Sequence, residues 1–247
     1  MPEAQEELLK AVVATGKPVV LVLVNGSALA VNWADANVPA IVEAWYPGEE
    51  GGTALADVLF GDYNPAGRLP VTFYKSAEQL PPFDDYRMQG RTYRYFKGEP
   101  LYPFGHGLSY TTFKYDNLRL SASSVRAGRG LNVSADVQNT GARAGEEVVQ
   151  LYVTDTASAY PVPVRSLAGL TRIRLNPGER RRVSFDLNPR QLSVIDDSGR
   201  RVVEPGEFNV SVGGKQPGFR GHADARTTGV VNGRFNVTGA VTEIPER

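Results

Sequence analysis

Trp45 to Tyr74 reads WYPGEEGGTALADVLFGDYNPAGRLPVTFY, and the fold of the first half of the chain turns on this stretch. An apolar run ends at Trp45, the chain turns at Pro47-Gly48, and two carboxylates, Glu49 and Glu50, precede two glycines. Thr53 to Phe60 then has the spacing of a helix, and Leu69 to Tyr74 alternates as a strand does. The order is strand end, turn, helix, turn, strand, with glycine where the backbone bends sharply or passes close to a neighbour.

Toward the N-terminus the same grammar repeats. Leu8, Leu9, Val12 and Val13 predict a helix over Ala4 to Thr15, stopped by Gly16. Val19 to Val24 is apolar on both faces, the mark of a parallel strand covered on both sides. Asn25-Gly26-Ser27 ends it, Ala30 to Ala36 is helical, and Ala40 to Trp45 is a second buried-strand candidate. Helix, strand, helix, strand is the order of an α/β layer.

Toward the C-terminus the pattern changes twice. Lys75 to Gly107 predicts a long ordered loop, with Pro81-Pro82, Asp84-Asp85 and the run GRTYRYF (90–96), where local strand pairing is expected. With Tyr102, Phe104, Tyr110 and Phe113 the segment is rich in aromatics that pack between layers or domains. After about Tyr115 the chain becomes all-β. Leu131, Val133, Ala135 and Val137 alternate with polar residues, as do Val149, Leu151 and Val153, then Val183, Phe185 and Leu187, then Phe208, Val210 and Val212. Asn139-Thr140-Gly141, Asn176-Pro177-Gly178, Asp197-Ser198-Gly199 and Pro205-Gly206 supply turns between them. The expectation is α/β followed by all-β: a partial α/β sandwich domain over 1–115, a fibronectin type III-like β-sandwich over 116–214, and a tail over 215–247. The tail holds one strand candidate, Val230 to Val237, with either the sandwich or the first domain as its partner.

Composition excludes several kinds of function. Lysine plus arginine and aspartate plus glutamate both number 27, so no net charge draws the chain to nucleic acid or to an anionic membrane surface. No apolar run is long enough to cross a bilayer, and the N-terminus is acidic and helix-like, unlike a signal peptide. Without cysteine there is no disulfide, no thiolate metal ligand and no thiol nucleophile. Two distant histidines, His106 and His222, do not make a metal site, and no nucleotide-binding or nucleophile-elbow motif occurs. No cofactor and no metal are expected. Asn132, Asn209 and Asn236 each begin an Asn-x-Ser/Thr triplet, but polar residues alternating with a buried valine account for all three.

The candidate binding residues are Trp45, Glu49, Glu50 and Arg91. Glu49 and Glu50 begin a helix that follows a parallel strand, and ligands gather at the carboxyl ends of such strands. Acidic groups at a helix N-terminus also interact with its free N–H groups, and that plainer account carries more weight. Asn25, Gly26 and Ser27 share the same edge. Asp84, Asp85, Arg91 and Arg94 either hydrogen-bond the hydroxyls of a sugar or form ion pairs that pin the loop, and the second is the commoner arrangement.

The stretch 45–74, GRTYRYF (90–96) and PLYPFGHGLSYTTF (100–113) together resemble glycoside hydrolase family 3. VVQLYVTD, VPVRSLAGLTRI, LNPGERRRVSFDL and VVEPGEFNVSVGG, all from Val148 onward, are similar to that family's fibronectin type III-like domain. The resemblance implies a retaining exo-β-glycosidase acting on β-glucosides or, less favoured, β-xylosides. It also implies that a barrel bearing the nucleophile Asp, and the segment bearing the acid/base Glu, lie outside the matching residues. Retention needs two carboxyl groups close together across the scissile bond, and no residue here matches either role. The catalytic set in this chain is therefore none, and a fragment inactive alone is expected. Its partner would be the missing barrel or a complementing chain, and its apolar Val19 to Val24 strand would be exposed and prone to self-association. Family relatives are often periplasmic or secreted, which sets the expected location. The alternative is a non-catalytic carbohydrate-binding or interaction module.

Overall fold

The computed structural model describes residues 1–245, so the last two residues of the 215–247 segment lie outside it. The first half begins with helix α1 (Glu3–Val13). Gly16, with φ of 71°, lets the chain reverse out of it. Strand β1 (Val20–Leu23), helix α2 (Asn32–Asn37) and strand β2 (Ala40–Glu43) follow, and the two strands pair in parallel with Val20 opposite Ala40 and Leu23 opposite Glu43. Helix α3 (Gly51–Phe60) ends at Gly61, whose left-handed φ of 85° lets its N–H close onto the Asp57 carbonyl at 3.0 Å. Leu9, Leu23, Val31, Ala34, Val38, Phe73 and Leu101 form the core of this half.

Here β1 departs from its expected environment. A parallel strand apolar on both faces should be covered on both, yet the sheet has two strands, and Val20 and Val24 are 45% and 59% exposed.

Two further expectations are corrected. Leu69 to Tyr74 forms no strand ladder. Pro70 has no N–H to contribute, and the stretch is held against Leu101 to His106 by a single bridge, Phe73 to Tyr102, and a few spaced bonds such as Leu69 N–H to the His106 carbonyl at 2.8 Å. GRTYRYF does not pair as a strand either. Gly90 and Thr92 both take positive φ (75° and 55°), and the chain curls into a single turn, α4 (Thr92–Tyr95).

The second half is a β-sandwich. One sheet carries β3 (Phe113–Leu120), β5 (Leu131–Asn139) and β8 (Arg180–Leu187) in the order β3-β5-β8. The other carries β4 (Ser124–Arg126), β6 (Gly145–Asp155), β7 (Ser166–Leu175), β11 (Gly206–Gly213) and β12 (Val230–Thr238) in the order β4-β12-β11-β6-β7. A small third sheet joins β9 (Val194–Ile195), β10 (Arg201–Val203) and β13 (Thr242–Glu243). The tail strand β12 thus pairs with β11 along eight residues and belongs to the sandwich. Val133, Ala135, Val137, Val149, Leu151, Val210 and Val212 interleave between the sheets and are fully buried. Each valine or leucine so buried contributes about 1.5–3 kcal/mol.

One strand is buried on both faces. Val149, Leu151 and Val153 of β6 point into the sandwich, while Gln150 and Tyr152 are buried under the long aromatic loop. Gln150 donates to the carbonyls of Gly105 (3.2 Å) and Gly214 (3.0 Å), and the Tyr152 hydroxyl donates to Gln150 Oε1 at 2.6 Å. Tyr93 stacks on Phe104 at 4.1 Å and meets Tyr152 edge-on. The two halves are joined through this second face.

Candidate functional site at the carboxyl edge of the parallel strands

β1 and β2 end side by side, and a small polar network closes over their carboxyl ends. Glu43, the last residue of β2, organises it. Its Oε1 accepts the Trp45 N–H at 3.0 Å, and its Oε2 accepts Asn25 Nδ2 at 3.4 Å. Asn25 also donates to the Ser27 carbonyl at 2.6 Å. Burial pushes the Glu43 carboxyl above its ordinary value, while the Trp45 N–H and Asn25 pull it back. The turn is tightened by Trp45, which holds a left-handed φ of 52° without being glycine, a conformation costing about 1–3 kcal/mol. Its ring packs edge-on against Phe73 (6.1 Å), Phe73 against Tyr102 (6.0 Å), and Tyr102 stacks on His106.

Glycine permits the close approach at this edge. A Cβ on Gly26 would sit 2.7 Å from the ring of Tyr46, and one on Gly51 2.7 Å from Pro47. Tyr46 therefore lies across Gly26 with most of its ring in solvent. Glu49 and Glu50 are exposed at the start of α3, where Glu50 accepts a hydrogen bond from the Thr53 hydroxyl at 3.0 Å. That is a helix-start contact, and it leaves both carboxylates facing water.

Behind this edge the halves are locked by a buried ion pair. Arg68 Nη2 lies 2.7 Å from Glu147 Oε1, with the Glu147 side chain fully buried. Arg68 also donates to the Gly214 carbonyl (3.1 Å), and Glu147 accepts from Thr228 (2.8 Å). Burial raises the Glu147 pKa, and the guanidinium opposes that rise. Nearby, His106 is held neutral, its pKa lowered to about 4 by burial and by Arg68. Asp35 accepts from the Tyr102 hydroxyl at 2.6 Å and approaches His222 Nδ1 at 3.2 Å. No group of three or more metal-ligating side chains occurs among the described residues.

Residues 1–110 match the glycosyl hydrolase family 3 C-terminal domain, and residues 147–216 match the fibronectin type III-like domain. The chain belongs to glycoside hydrolase family 3. It is 43% identical over 225 residues to a periplasmic β-glucosidase of Salmonella typhimurium, covering 86% of this chain and 29% of that protein. A β-xylosidase of Formosa agariphila is 44% identical over 214 residues, covering 85% of this chain and 30% of its own length. In three dimensions the chain superposes on β-glucosidase 3B of Thermotoga neapolitana, solved in complex with α-D-glucose, with a TM-score of 0.85 at 32% identity. That alignment covers 100% of this chain and 35% of the other, so the chain spans about a third of the length of the relatives it matches.

Within this family 3 chain the four candidate residues divide. Trp45, Glu49 and Glu50 lie on the one turn that leads from β2 into α3. Arg91 belongs elsewhere: its guanidinium donates to the carbonyls of Pro82 (3.1 Å), Asp85 and Arg87 (3.2 Å) and braces its own loop. Asp85 pairs with Arg87 at 2.8 Å within the same loop, which presents Phe83 and Tyr86 almost entirely to solvent. Neither Asp85 nor Arg91 forms an ion pair across the junction among the described residues. Glu43 is the residue that sequence reasoning missed. Its signal was present in AIVEAW, where an acid interrupts an apolar parallel strand at its carboxyl end.

Proposed function

We propose that this chain is the C-terminal portion of a retaining exo-β-glycosidase that hydrolyses terminal non-reducing β-linked sugars, a β-glucosidase in preference to a β-xylosidase. Its role is to supply one wall of the substrate cleft and the scaffold behind it. The nucleophile Asp and the acid/base Glu then come from residues outside this chain, and the isolated chain is inactive. The observation that carries this reading is the unfinished sheet: two parallel strands with exposed valines, ending in an ordered polar edge at Glu43, Asn25 and Trp45. Such an edge is where α/β sheets place ligands, and such valines are what a further layer would cover. The preference for glucosides rests on relatives of known structure, which include β-glucosidases of Erythrobacter marinus and Listeria innocua. The periplasmic relative supports a periplasmic or secreted location. The barrel, in the same or a complementing chain, is the partner proposed to cover the exposed strands. Without that cover, self-association through the sheet follows.

The alternative, a stand-alone carbohydrate-binding module, has less support because Trp45, its expected stacking platform, lies half-buried against Phe73. The test is hydrolysis of aryl β-glucoside and aryl β-xyloside. Two samples are assayed: the purified chain, and a chimera in which it replaces the corresponding portion of the Salmonella typhimurium relative. The chain alone should show no turnover above background, and the chimera should favour the glucoside. Turnover by the chain alone, surviving Glu43→Gln, Glu49→Gln and Glu50→Gln together, overturns the reading.

A further inference from the structure

A cavity of about 170 Å³ lies where the segment around α4 meets the sandwich, and it shares no lining residue with the carboxyl edge of β1 and β2. The rings of Tyr93 and Phe96 form apolar walls, and Phe96 is fixed edge-on against Tyr74 at 5.0 Å. Two cations, Arg165 and Lys97, line it together with Thr72 and Gln216, and no acidic residue does. Arg165 is partly buried and has no carboxylate within 4.0 Å among the described residues. Burial without a counter-ion lowers its pKa. The nearby acid in sequence, Glu99, is already engaged by Lys75 at 3.0 Å.

Two polar side chains in the wall are more than nine-tenths buried and incompletely bonded. Thr72 is 6% exposed and Gln216 7%, and Thr72 Oγ1 and Gln216 Oε1 have no hydrogen-bond partner. Native proteins rarely leave such groups unsatisfied, least of all two around one cavity.

These features make different demands on an occupant. The guanidinium asks for an anion, and a planar carboxylate suits its fork. The amide oxygen of Gln216 accepts only, so the occupant must bring a donor, and a hydroxyl supplies one without the positive charge that an ammonium would set beside Arg165 and Lys97. The aromatic walls suit the apolar C–H face of a ring. A simple carboxylate lacks the donor, and a neutral sugar leaves Arg165 unpaired. The volume, well below that of a drug-sized site, admits a single ring. We infer that this cavity is a binding site for a small hydroxylated carboxylate of the sugar-acid class. The inference stands independently of the glycosidase reading.

The test is titration of the 247-residue chain with D-glucuronate, followed by calorimetry and by NMR of the Arg165 Nε–H and Gln216 side-chain amide. D-glucose, acetate and glucose 6-phosphate serve as comparators. Glucuronate should bind saturably, roughly in the millimolar range for a ligand of this size. Glucose and acetate should bind at least about tenfold more weakly, and Arg165→Met and Gln216→Met should each weaken glucuronate by a similar factor. If a variant fails to fold, the wild-type NMR shifts decide directly: glucuronate must move both side-chain signals. Glucose binding as tightly as glucuronate, glucose 6-phosphate binding more tightly, or no saturation at tens of millimolar overturns the assignment.

Discussion

The two halves of this chain use the same currency of valine and leucine and reach opposite degrees of completion. In the sandwich, twenty buried side chains form one core, most of them between the two large sheets, and in β5 and β11 the residues that alternate with them are largely polar. In the first half, seven buried side chains form the core, while Leu8, Val12, Val20 and Val24 remain open to solvent. Periodicity explains the difference. A period-2 strand needs cover on one face, which a second sheet supplies within the chain. A strand apolar on both faces needs two layers, and β1 has only α1, α2 and its neighbours around Phe73 on offer. The sandwich closes on its own core, whereas the first half leaves these apolar side chains in solvent.

The largest test of this contrast lies at the lock between the halves. Arg68→Ala leaves Glu147 fully buried without its cation, and loss of one partner of such a pair costs about 3–5 kcal/mol. Urea unfolding should show that loss, and the first half should lose its protection from hydrogen exchange before the sandwich does. Arg68→Met with Glu147→Leu should recover most of it, because a matched apolar pair leaves no buried charge. Equal loss of protection in both halves would show that they fold as one unit.

Next in size comes core truncation. Leu151→Ala in β6 opens a void between the two sheets and should cost about 2–5 kcal/mol by thermal unfolding. Leu8→Ser, at a side chain 66% exposed, should change stability by less than about 0.5 kcal/mol. It should instead reduce self-association measured by sedimentation. Were Leu8→Ser to destabilise as much as Leu151→Ala, the first half would be no more open than the second.

Between these lies Tyr102→Phe. The hydroxyl donates to Asp35 at 2.6 Å and links the aromatic segment to α2. Its removal should cost about 1.5–3 kcal/mol, as for a hydrogen bond to a charged group, and should loosen the first half alone.

Much of this was legible from residues. Alternation at Leu131 to Val137, Val149 to Val153 and Phe208 to Val212 marks strands because their cores close locally, sheet on sheet. Val19 to Val24 is legible as a strand for a different reason, an unbroken apolar run of strand length, but the exposure of Val20 and Val24 is not announced by that run. What failed was governed by tertiary context. Pro70 blocks a ladder that the alternation of Leu69 to Tyr74 implies, and GRTYRYF curls because Thr92 adopts a positive φ that no propensity announces. Gln150 and Tyr152 look like outward residues of a half-buried strand, yet the loop from the other half covers them. The candidate edge was half legible: its position follows from the strand ends, but Arg91 belongs to a separate loop, and Glu43 is identified only by the bonds it accepts.

The smallest effect is read as a slope against pH. Asp136 and Asp85 are both lowered from an ordinary 3.8 to about 2, Asp136 by hydrogen bonds from Arg182 and Asn117, Asp85 by the Arg87 side chain and backbone. A carboxylate depressed in the folded state adds stability that is fully present above its ordinary pKa and is lost as pH falls toward the folded value. Both contributions should therefore fade between about pH 4 and pH 2. Their reach differs. Asp136 sits directly opposite Arg182 across the β5–β8 ladder, so its protonation weakens a bond between strands. The Asp85–Arg87 pair lies two residues apart in one loop, so its protonation loosens only that loop. Asp136→Asn should flatten the acid limb of the sandwich's unfolding curve, while Asp85→Asn should leave that limb unchanged and alter only hydrogen exchange around Phe83 and Tyr86. An acid limb that responds to Asp85→Asn would mean that the loop is part of the sandwich's cooperative unit, and that the boundary between the two halves runs on its other side.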